Sequence, residues 1–508
     1  MTSDAVGSEL VSNVVGYKIT KGNFQNTTSN LPQRVAIFGE ANTANQGSID
    51  FGEGVEITSA QQAGQLFGYG SPIHMAARIL RPVSGSGIGG IPVIVYPQAE
   101  VGGATANILE VVATGVATAN VTHTVIIAGR RSLDGVAYDF TVNTGDTAGD
   151  IHAKIEDAVN NVLGCPMSAA STDYEATLTS KWKGLTASDL SVSIDTNGNE
   201  AGLNYSVSST QSGAGTPTTL TDSLNLIGED WVTVAINTYG VNESICAAFE
   251  AWNGIPDPVN PTGRFSSITM KPLIAFTGYC GTDFDGTIAT FTGSRRDECT
   301  IALCVTPYSF GLSLEAAANY ALKYAPQAQN NPHLDIQGQT LDDMPTATSI
   351  AEMGAYLVRD MIVKIGCSTV ELVSGKYKVS DFVTTYRPIG ENPPQFRYVR
   401  SLTQDFNIRF KYYLLEQIHV VNKALAADNT VTTVANVIKP SQWKQILFNF
   451  ADDLSRNAIT TDPKFMKESI VVSIGSTNPD RFETFFKYKR SGFARIASTT
   501  AEAGFNFN

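Results

Sequence analysis

Six residues from Gly85 to Gly90, GSGIGG, fit the spacing G-x-G-x-x-G, in which glycines let a backbone turn close on a pyrophosphate. Such a loop works after a strand and before a helix, whose N-terminal N–H groups then meet the anion. Here it follows a helical pattern and precedes the apolar run IPVIVY, so the expectation is a flexible connection. The five histidines, at 74, 123, 152, 333 and 419, are far apart, with no HExxH and no Cys/His pair at metal-ligand spacing. Asp342-Asp343 and Asp452-Asp453 read as solvated faces, since on the helix predicted around 452 adjacent side chains diverge by about 100°. Ser294 to Glu298, SRRDE, reads as a solvated turn with local ion pairs. No GxSxG elbow or GxxxxGK[ST] loop occurs. No catalytic residue, cofactor or metal ligand is expected. One cluster stands apart: Arg481, Lys487, Lys489, Arg490 and Arg495, offset within that span by Glu483 alone. Beside the reading as a solvated face, it suits docking to an acidic partner.

These residues belong to a 508-residue chain, too long for one core, so two to four domains are expected. Charged residues make up 16 %, against roughly 25 % in typical soluble domains, which suggests surface covered by self-association. A net charge of −13 disfavours a nucleic-acid partner. The opening MTSDAVGSEL is acidic and polar rather than a secretion signal, so a reducing cytoplasm and buried, unpaired cysteines are expected. No run approaches the roughly 18 apolar residues of a membrane span.

Val15, Tyr17 and Ile19 alternate with polar residues as a lone strand with no partner nearby in sequence. Arg34–Phe38 reads as a buried strand, Ser59–Leu80 as a helix broken around 68–72, and Ile91–Tyr96 as a second strand, together an α/β layer. From Gly102 to Thr219 the pattern is β-rich, with a hairpin signal at Asp134-Gly135 and one helix opened by Thr147 and Asp150. That helix presents Ile151, Ile155, Val159 and Val162 as its apolar face, and the segment ends in the run STQSGAGTPTT, expected to be flexible. The α/β class resumes at Trp231–Ile236, Leu273–Phe276 and Ile301–Val305, with a helix over Leu314–Tyr324. Farther on come a helix over Ser441–Asn457, burying Trp443, Ile446, Leu447, Phe450 and Leu454, and a strand at Ile470–Ile474. Phe493–Ala497 and Phe505–Phe507 read as a second spare strand separated from the core. Phe493, Arg495, Phe505 and Phe507 therefore join Val15, Tyr17 and Ile19 as candidates to pair with the sheet edge of another copy. Receiving edges are expected in the β-rich segments VTTYR and Ile470–Ile474.

Four segments in linear order carry a family resemblance: ITSAQQAGQLFGYGSPIHMAA at 57–77, FTVNTGDTAGDIHAKIEDAVNNV at 140–162, SGKYKVSDFVTTYRPIGENPPQFRYVR at 374–400, and NPDRF at 478–482. They resemble contractile phage tail sheath proteins of the Mu-like type, in which a VTTYR strand (Val383 to Arg387 here) precedes a "yvR" strand (Tyr398 to Arg400) and a helix. The segment ETFFKYKRSGFARI departs from the family's more aliphatic strand.

The resemblance implies an α/β and α+β multidomain fold: an α/β sheath domain (31–101 and 220–349), an inserted β-rich surface domain (102–219), a C-terminal core (350–490), and strand arms at 1–30 and 491–508. It implies a structural subunit, not an enzyme, that forms stacked hexameric rings around a tail tube and contracts, with copies linked by exchanged terminal strands. Implied partners are further copies, the tube protein, and baseplate and tail terminator proteins, with no nucleic acid and no membrane insertion. The basic cluster would face the tube, and the protein would be a virion component assembled in the host cytoplasm. The alternatives are a tailocin or type VI-like sheath and, less favoured, an α/β enzyme.

Overall fold

The computed structural model describes residues 29–347 and 349–505. Strand β1 (Val35–Glu40, VAIFGE) is buried along its whole length, as a strand covered on both faces must be. It is the centre of the main sheet. After β2 (Val55–Ile57), helices α1 (Ala60–Phe67) and α2 (Pro72–Leu80) lead to β3 (Val93–Gln98), which pairs parallel to β1, with β2 antiparallel at the edge. The helix break has a local cause: Gly68 and Gly70 adopt positive φ, Ser71 caps α2 by accepting from His74 N, and Pro72 opens it at a position that needs no N–H. The GSGIGG loop is anchored rather than flexible. Ile88 is buried and its N–H donates to Leu80 O, while Arg81 donates to the carbonyls of Gly89 and Ile91.

Beyond β3 the chain leaves this sheet. Strands β4 (Ala106–Gly115), β5 (Val121–Ile127), β6 (Ser132–Leu133), β7 (Val136–Ala137) and β8 (Asp139–Val142) precede α3 (Ala148–Asn160). Then come β9 (Met167–Ser171), β10 (Ala176–Lys183), β11 (Val192–Asp195) and β12 (Leu203–Gln211). They form antiparallel sheets in the orders β12-β4-β10-β9 and β11-β5-β8, with Asp134-Gly135 turning the small β6–β7 hairpin between β5 and β8. The expected capping box is present: Thr147 accepts from Asp150 N, and Asp150 accepts from Thr147 N. The expected flexible run at 209–219 is a correction. Ser209–Gln211 belong to β12, Ala214 bridges Thr105, and Leu185 N donates to Gly215 O. Backbone pairing holds a stretch whose composition alone suggested a linker.

The main sheet resumes after α4 (Leu220–Asn225) with β13 (Val234–Asn237), α5 (Glu243–Asn253), β14 (Ile274–Tyr279), α6 (Ala289–Gly293), β15 (Ile301–Val305) and α7 (Ser313–Asn330). Its order is β15-β14-β13-β1-β3-β2, parallel except for β2. Of the two charged motifs expected in solvent, Asp342-Asp343 stays substantially exposed, while one residue of SRRDE is buried. Arg295 of SRRDE is 4 % exposed, pairs with Glu243 and Glu250 of α5, and lies over the Phe291 ring. Asp343 meets Arg78 and Arg130, while Asp342 meets Lys323 and Lys376. Partners this distant in sequence are visible only after folding.

The last part contains β16 (Thr340–Leu341), α8 (Ala351–Gly354), α9 (Tyr356–Lys364), β17 (Thr369–Val373) and β18 (Lys376–Asp381), in sheet order β16-β18-β17. A two-residue turn with positive φ at Ser374 and Gly375 joins β17 to β18. VTTYR extends β15 by one bridge, Thr384 to Ala302, and Val383 bridges Tyr398. The expected second strand at Tyr398–Arg400 is corrected to that single bridge: Val399 and Arg400 open the long helix α10 (Val399–His419), and Val399 N, which has no partner within the helix, donates to Phe382 O.

Helix α10 runs from the main core into a second apolar cluster built on α11 (Pro440–Arg456), with Trp443, Leu447, Phe450 and Leu454 buried. Around it lie the short pair β19 (Ala424–Leu425) and β20 (Val437–Ile438), then β21 (Thr460–Thr461) and α12 (Pro463–Ser469). An antiparallel hairpin follows, of β22 (Val471–Ile474) and β23 (Phe482–Phe485). NPDRF makes the turn between them, and β24 (Lys489–Arg490) pairs with β21.

Candidate inter-subunit surface

In an open parallel sheet, ligands enter the crevice beyond the carboxyl ends of the strands, where the strand order reverses. In this sheet that point lies between β1 and β13, and the segment after β10 fills it. Trp182 is fully buried and donates from Nε1 to Thr186 Oγ1 at 2.9 Å; Thr186 donates in turn to Glu40 Oε2 at 3.5 Å. A Cβ on Gly184 would lie 2.9 Å from Glu40 Oε1. Burial, reinforced by the charge of Glu100, pushes the Glu40 carboxyl well above its ordinary range. The crevice is thus a packed joint between the β-rich segment and the main sheet. A second joint lies nearby, where Arg130 meets Glu315 at 2.8 Å and Asp343 at 2.9 Å, and Arg78 meets Asp134 at 2.8 Å.

The hairpin β22–β23 is different in kind. Its inward face packs Val472 and Phe482 on the second cluster, and Trp443 donates from Nε1 to Thr484 Oγ1 at 3.0 Å. On its outward face the cross-strand partners Val471 and Phe485 are 59 % and 55 % exposed. Among the described residues it is a two-stranded sheet, so each strand has one unpaired edge. An open edge beside exposed apolar side chains is a template for an added strand. The sequence reading placed a receiving edge at Ile470–Ile474, but it did not single out Val471 and Phe485; the alternation that exposes them is present in VVSI and FETF.

The basic cluster does not form a free cationic patch. Arg490 grips Asp405 with two hydrogen bonds, from Nε to Oδ1 at 2.8 Å and from Nη2 to Oδ2 at 2.5 Å. Lys489 pairs with Asp462 at 2.6 Å and Arg481 with Glu483 at 2.8 Å. Arg495 pairs with Asp335, which is almost fully buried. Lys487 lies 5.9 Å from the Phe485 ring. Counting charge along the sequence missed Asp405, Asp462 and Asp335, which only the fold brings near.

The C-terminal strand is corrected as well. Residues 491–505 form no strand; Arg400 of α10 lies over the Phe493 ring and Arg495 pairs with Asp335, so both dock on the chain's own core rather than standing apart from it. Arg400 of α10 holds that exit, donating to Ser491 O and Oγ at 2.8 Å each. Phe505 is exposed without pairing. Val15, Tyr17, Ile19 and Phe507 lie outside the described residues.

What fold and surface define together is a mixed α/β chain of several sheets whose distinctive groups are open strand edges and packed joints. No family model matches the chain. The Mu-like prophage FluMu tail sheath protein of Haemophilus influenzae is 23 % identical over 442 residues, spanning 86 % of this chain and 86 % of that protein. The crystal structure of a sheath tail protein from Desulfitobacterium hafniense aligns with a TM-score of 0.46 at 12 % identity, covering 94 % of this chain and all of that one. The resemblance carried by LFGYGS, VTTYR and NPDRF therefore agrees with a relative, similar over most of its length, that is a Mu-like prophage tail sheath protein.

Proposed function

We propose that this chain is the structural subunit of a contractile tail sheath. Copies stack as hexameric rings around a tail tube and stay linked, during contraction, by terminal strands added to a neighbour's sheet edge. The observation that carries this reading is the β22–β23 hairpin, with open edges and the exposed Val471–Phe485 pair, in a chain similar to a tail sheath protein over most of its length. Backbone ladders on flexible linkers let subunits rotate and slide without separating. In this reading residues 1–30 supply the donated strand, through Val15, Tyr17 and Ile19, and the β-rich insert lies on the outer surface. The C-terminal arm is confined to residues after Arg495, including Phe505 and Phe507, because Phe493 and Arg495 are held by the core. Arg481, Lys487 and Lys489 remain the tube-facing candidates, and Arg490 and Arg495 serve their own fold. Assembly takes place in the host cytoplasm, with tube, baseplate and terminator proteins as partners.

Electron microscopy of the purified protein tests the reading. The full chain is expected to form tubes or stacked rings, and a chain lacking residues 1–25 to remain folded but dispersed. A truncated protein that still builds normal contractile sheaths would sink strand exchange.

A further inference from the structure

The described chain begins at Ser29 and enters the fold on a fixed course. Asn30 donates from Nδ2 to Gln329 O at 3.0 Å, Leu31 N donates to Asn407 Oδ1 at 2.8 Å, and Gln33 N donates to Gln329 Oε1 at 3.0 Å. With Leu31 buried, the entry is bound between α7 and α10. The stretch 31–33 lines a groove of about 640 Å³, together with Trp231 before β13, Ile268 from the loop between α5 and β14, and Phe410 and Tyr413 of α10. Ile268 is 94 % exposed and Tyr413 42 %, so the described residues leave this apolar lining uncovered. Trp231 is fixed: its Nε1 donates to Pro272 O at 2.9 Å, and its ring lies 5.9 Å from that of Phe406. A wall held in this way loses little freedom when the groove is filled.

The charges around the groove restrict what can fill it. At its rim Arg34 pairs with Asp230 and Lys271 with Glu229, so these groups are matched within the fold. Arg409 lies 5.2 Å from the centre of the Tyr413 ring and, among the described residues, has no carboxylate partner, which leaves its N–H groups for other acceptor oxygens. An uncharged segment with one large apolar anchor and several amide oxygens fits such a lining. Residues 22–28, GNFQNTT, have that chemistry: no charge, the amides of Asn23, Gln25 and Asn26, and in Phe24 the one large apolar side chain between Ile19 and Leu31. Phe24 is seven positions before Leu31, at most about 23 Å of extended chain, which is enough to reach across a groove of this size. A ring on so short a tether meets the groove at an effective concentration on the order of millimolar, which favours the chain's own segment over that of another copy.

We propose that this groove is the seat of residues 22–28 of the same chain, with the Phe24 ring against Trp231 and Ile268 and an amide oxygen of the segment accepting from Arg409. The seat forms in the single subunit and does not rest on strand exchange. Its effect on the arm is to set the point from which Val15, Tyr17 and Ile19 extend, at the groove rather than at Ser29.

Acrylamide quenching of Trp231 fluorescence tests the proposal, in full-length protein kept below the concentration at which it assembles. The parent for this series carries Trp252→Phe, and the two other tryptophans, Trp182 and Trp443, are fully buried. Phe24→Ala, and separately a chain lacking residues 1–28, are expected to raise the quenching constant about twofold or more, because a filled groove excludes solvent. A chain lacking only residues 1–19 is expected to keep the parent value, although it has lost the strand proposed for exchange. Equal quenching in the parent and in the chain lacking residues 1–28 overturns the seat. Shielding that grows with protein concentration assigns the groove to a second copy and overturns it as well. An unchanged constant in Phe24→Ala, or loss of shielding in the chain lacking residues 1–19, overturns Phe24 as the anchor.

Discussion

The guanidinium of Arg495 lies 3.8 Å from the centre of the Tyr398 ring while pairing with the carboxylate of Asp335. One residue of the tail thus joins the segment before α10 to the loop after α7. Removing the cation leaves Asp335, 9 % exposed overall, with only the weaker field of Arg400 and the Ile336 N–H to offset its charge, which costs at most the roughly 3–5 kcal/mol of a buried pair broken on one side. Arg495→Ala is expected to lower the denaturation midpoint, and Asp335→Asn in the same chain to recover most of the loss. If the double variant is no better than the single, the pair is not the cause.

The outward face of the hairpin separates folding from assembly. Val471→Lys with Phe485→Glu changes exposed side chains, so stability is expected to shift by no more than about 0.5 kcal/mol per site. Tube formation, followed by electron microscopy or light scattering, is expected to be lost. Normal tubes from a folded double variant would move the receiving edge elsewhere.

The second cluster depends on Trp443, which is fully buried between α11 and the hairpin. Trp443→Ala opens a cavity and is expected to cost about 3–5 kcal/mol, measured by urea denaturation. The loss should be largest in protection of amides on α11, α12 and β22 in hydrogen exchange, and small on β1 and β13.

His74 gives a pH dependence with a definite sign. Burial, and then the charge of Arg78, lower its pKa from 6.5 to about 4. Its Nδ1 accepts from Gly70 N at 3.1 Å, which requires the neutral ring at that atom. Between those values the unfolded state binds the extra proton, so the contribution is full above about pH 6.5 and lost as pH falls toward 4, amounting to about 3 kcal/mol at most. His74→Gln is expected to flatten that part of the stability profile relative to the parent. An identical profile would refute the assignment.

The insert cannot simply be excised. Replacing residues 102–219 with a linker removes Arg130 and Asp134, leaving Glu315, which is fully buried, with Arg78 at 4.0 Å as its remaining ion-pair partner among the described residues and the Leu312 N–H as a donor. The excised chain is expected to fold poorly. Adding Glu315→Gln should restore several degrees of melting temperature, on the scale of the roughly 3–5 kcal/mol of a broken buried pair.

The periodic signals in the sequence carry over into the fold. The apolar runs at Val35, Val93, Val234, Ile274 and Ile301 become the parallel strands, and the turn residues at 68–72, 134–135 and 478–482 mark real changes of direction. Such features depend on residues a few positions apart, whose geometry the chain fixes locally. Charge is where sequence reading failed. Arg295, Arg490 and Arg495 each look solvated or free in the linear order, and each meets partners brought from 45 to 160 positions away. The same holds for the run at 209–219, whose Gly and Thr content suggests a linker until Thr105 and Leu185 supply backbone partners. Local patterning therefore determined the elements and their faces. Which edges stay open and which charges stay unpaired was decided by tertiary packing, because only a folded chain sets the distances on which hydrogen bonds and Coulomb interactions depend.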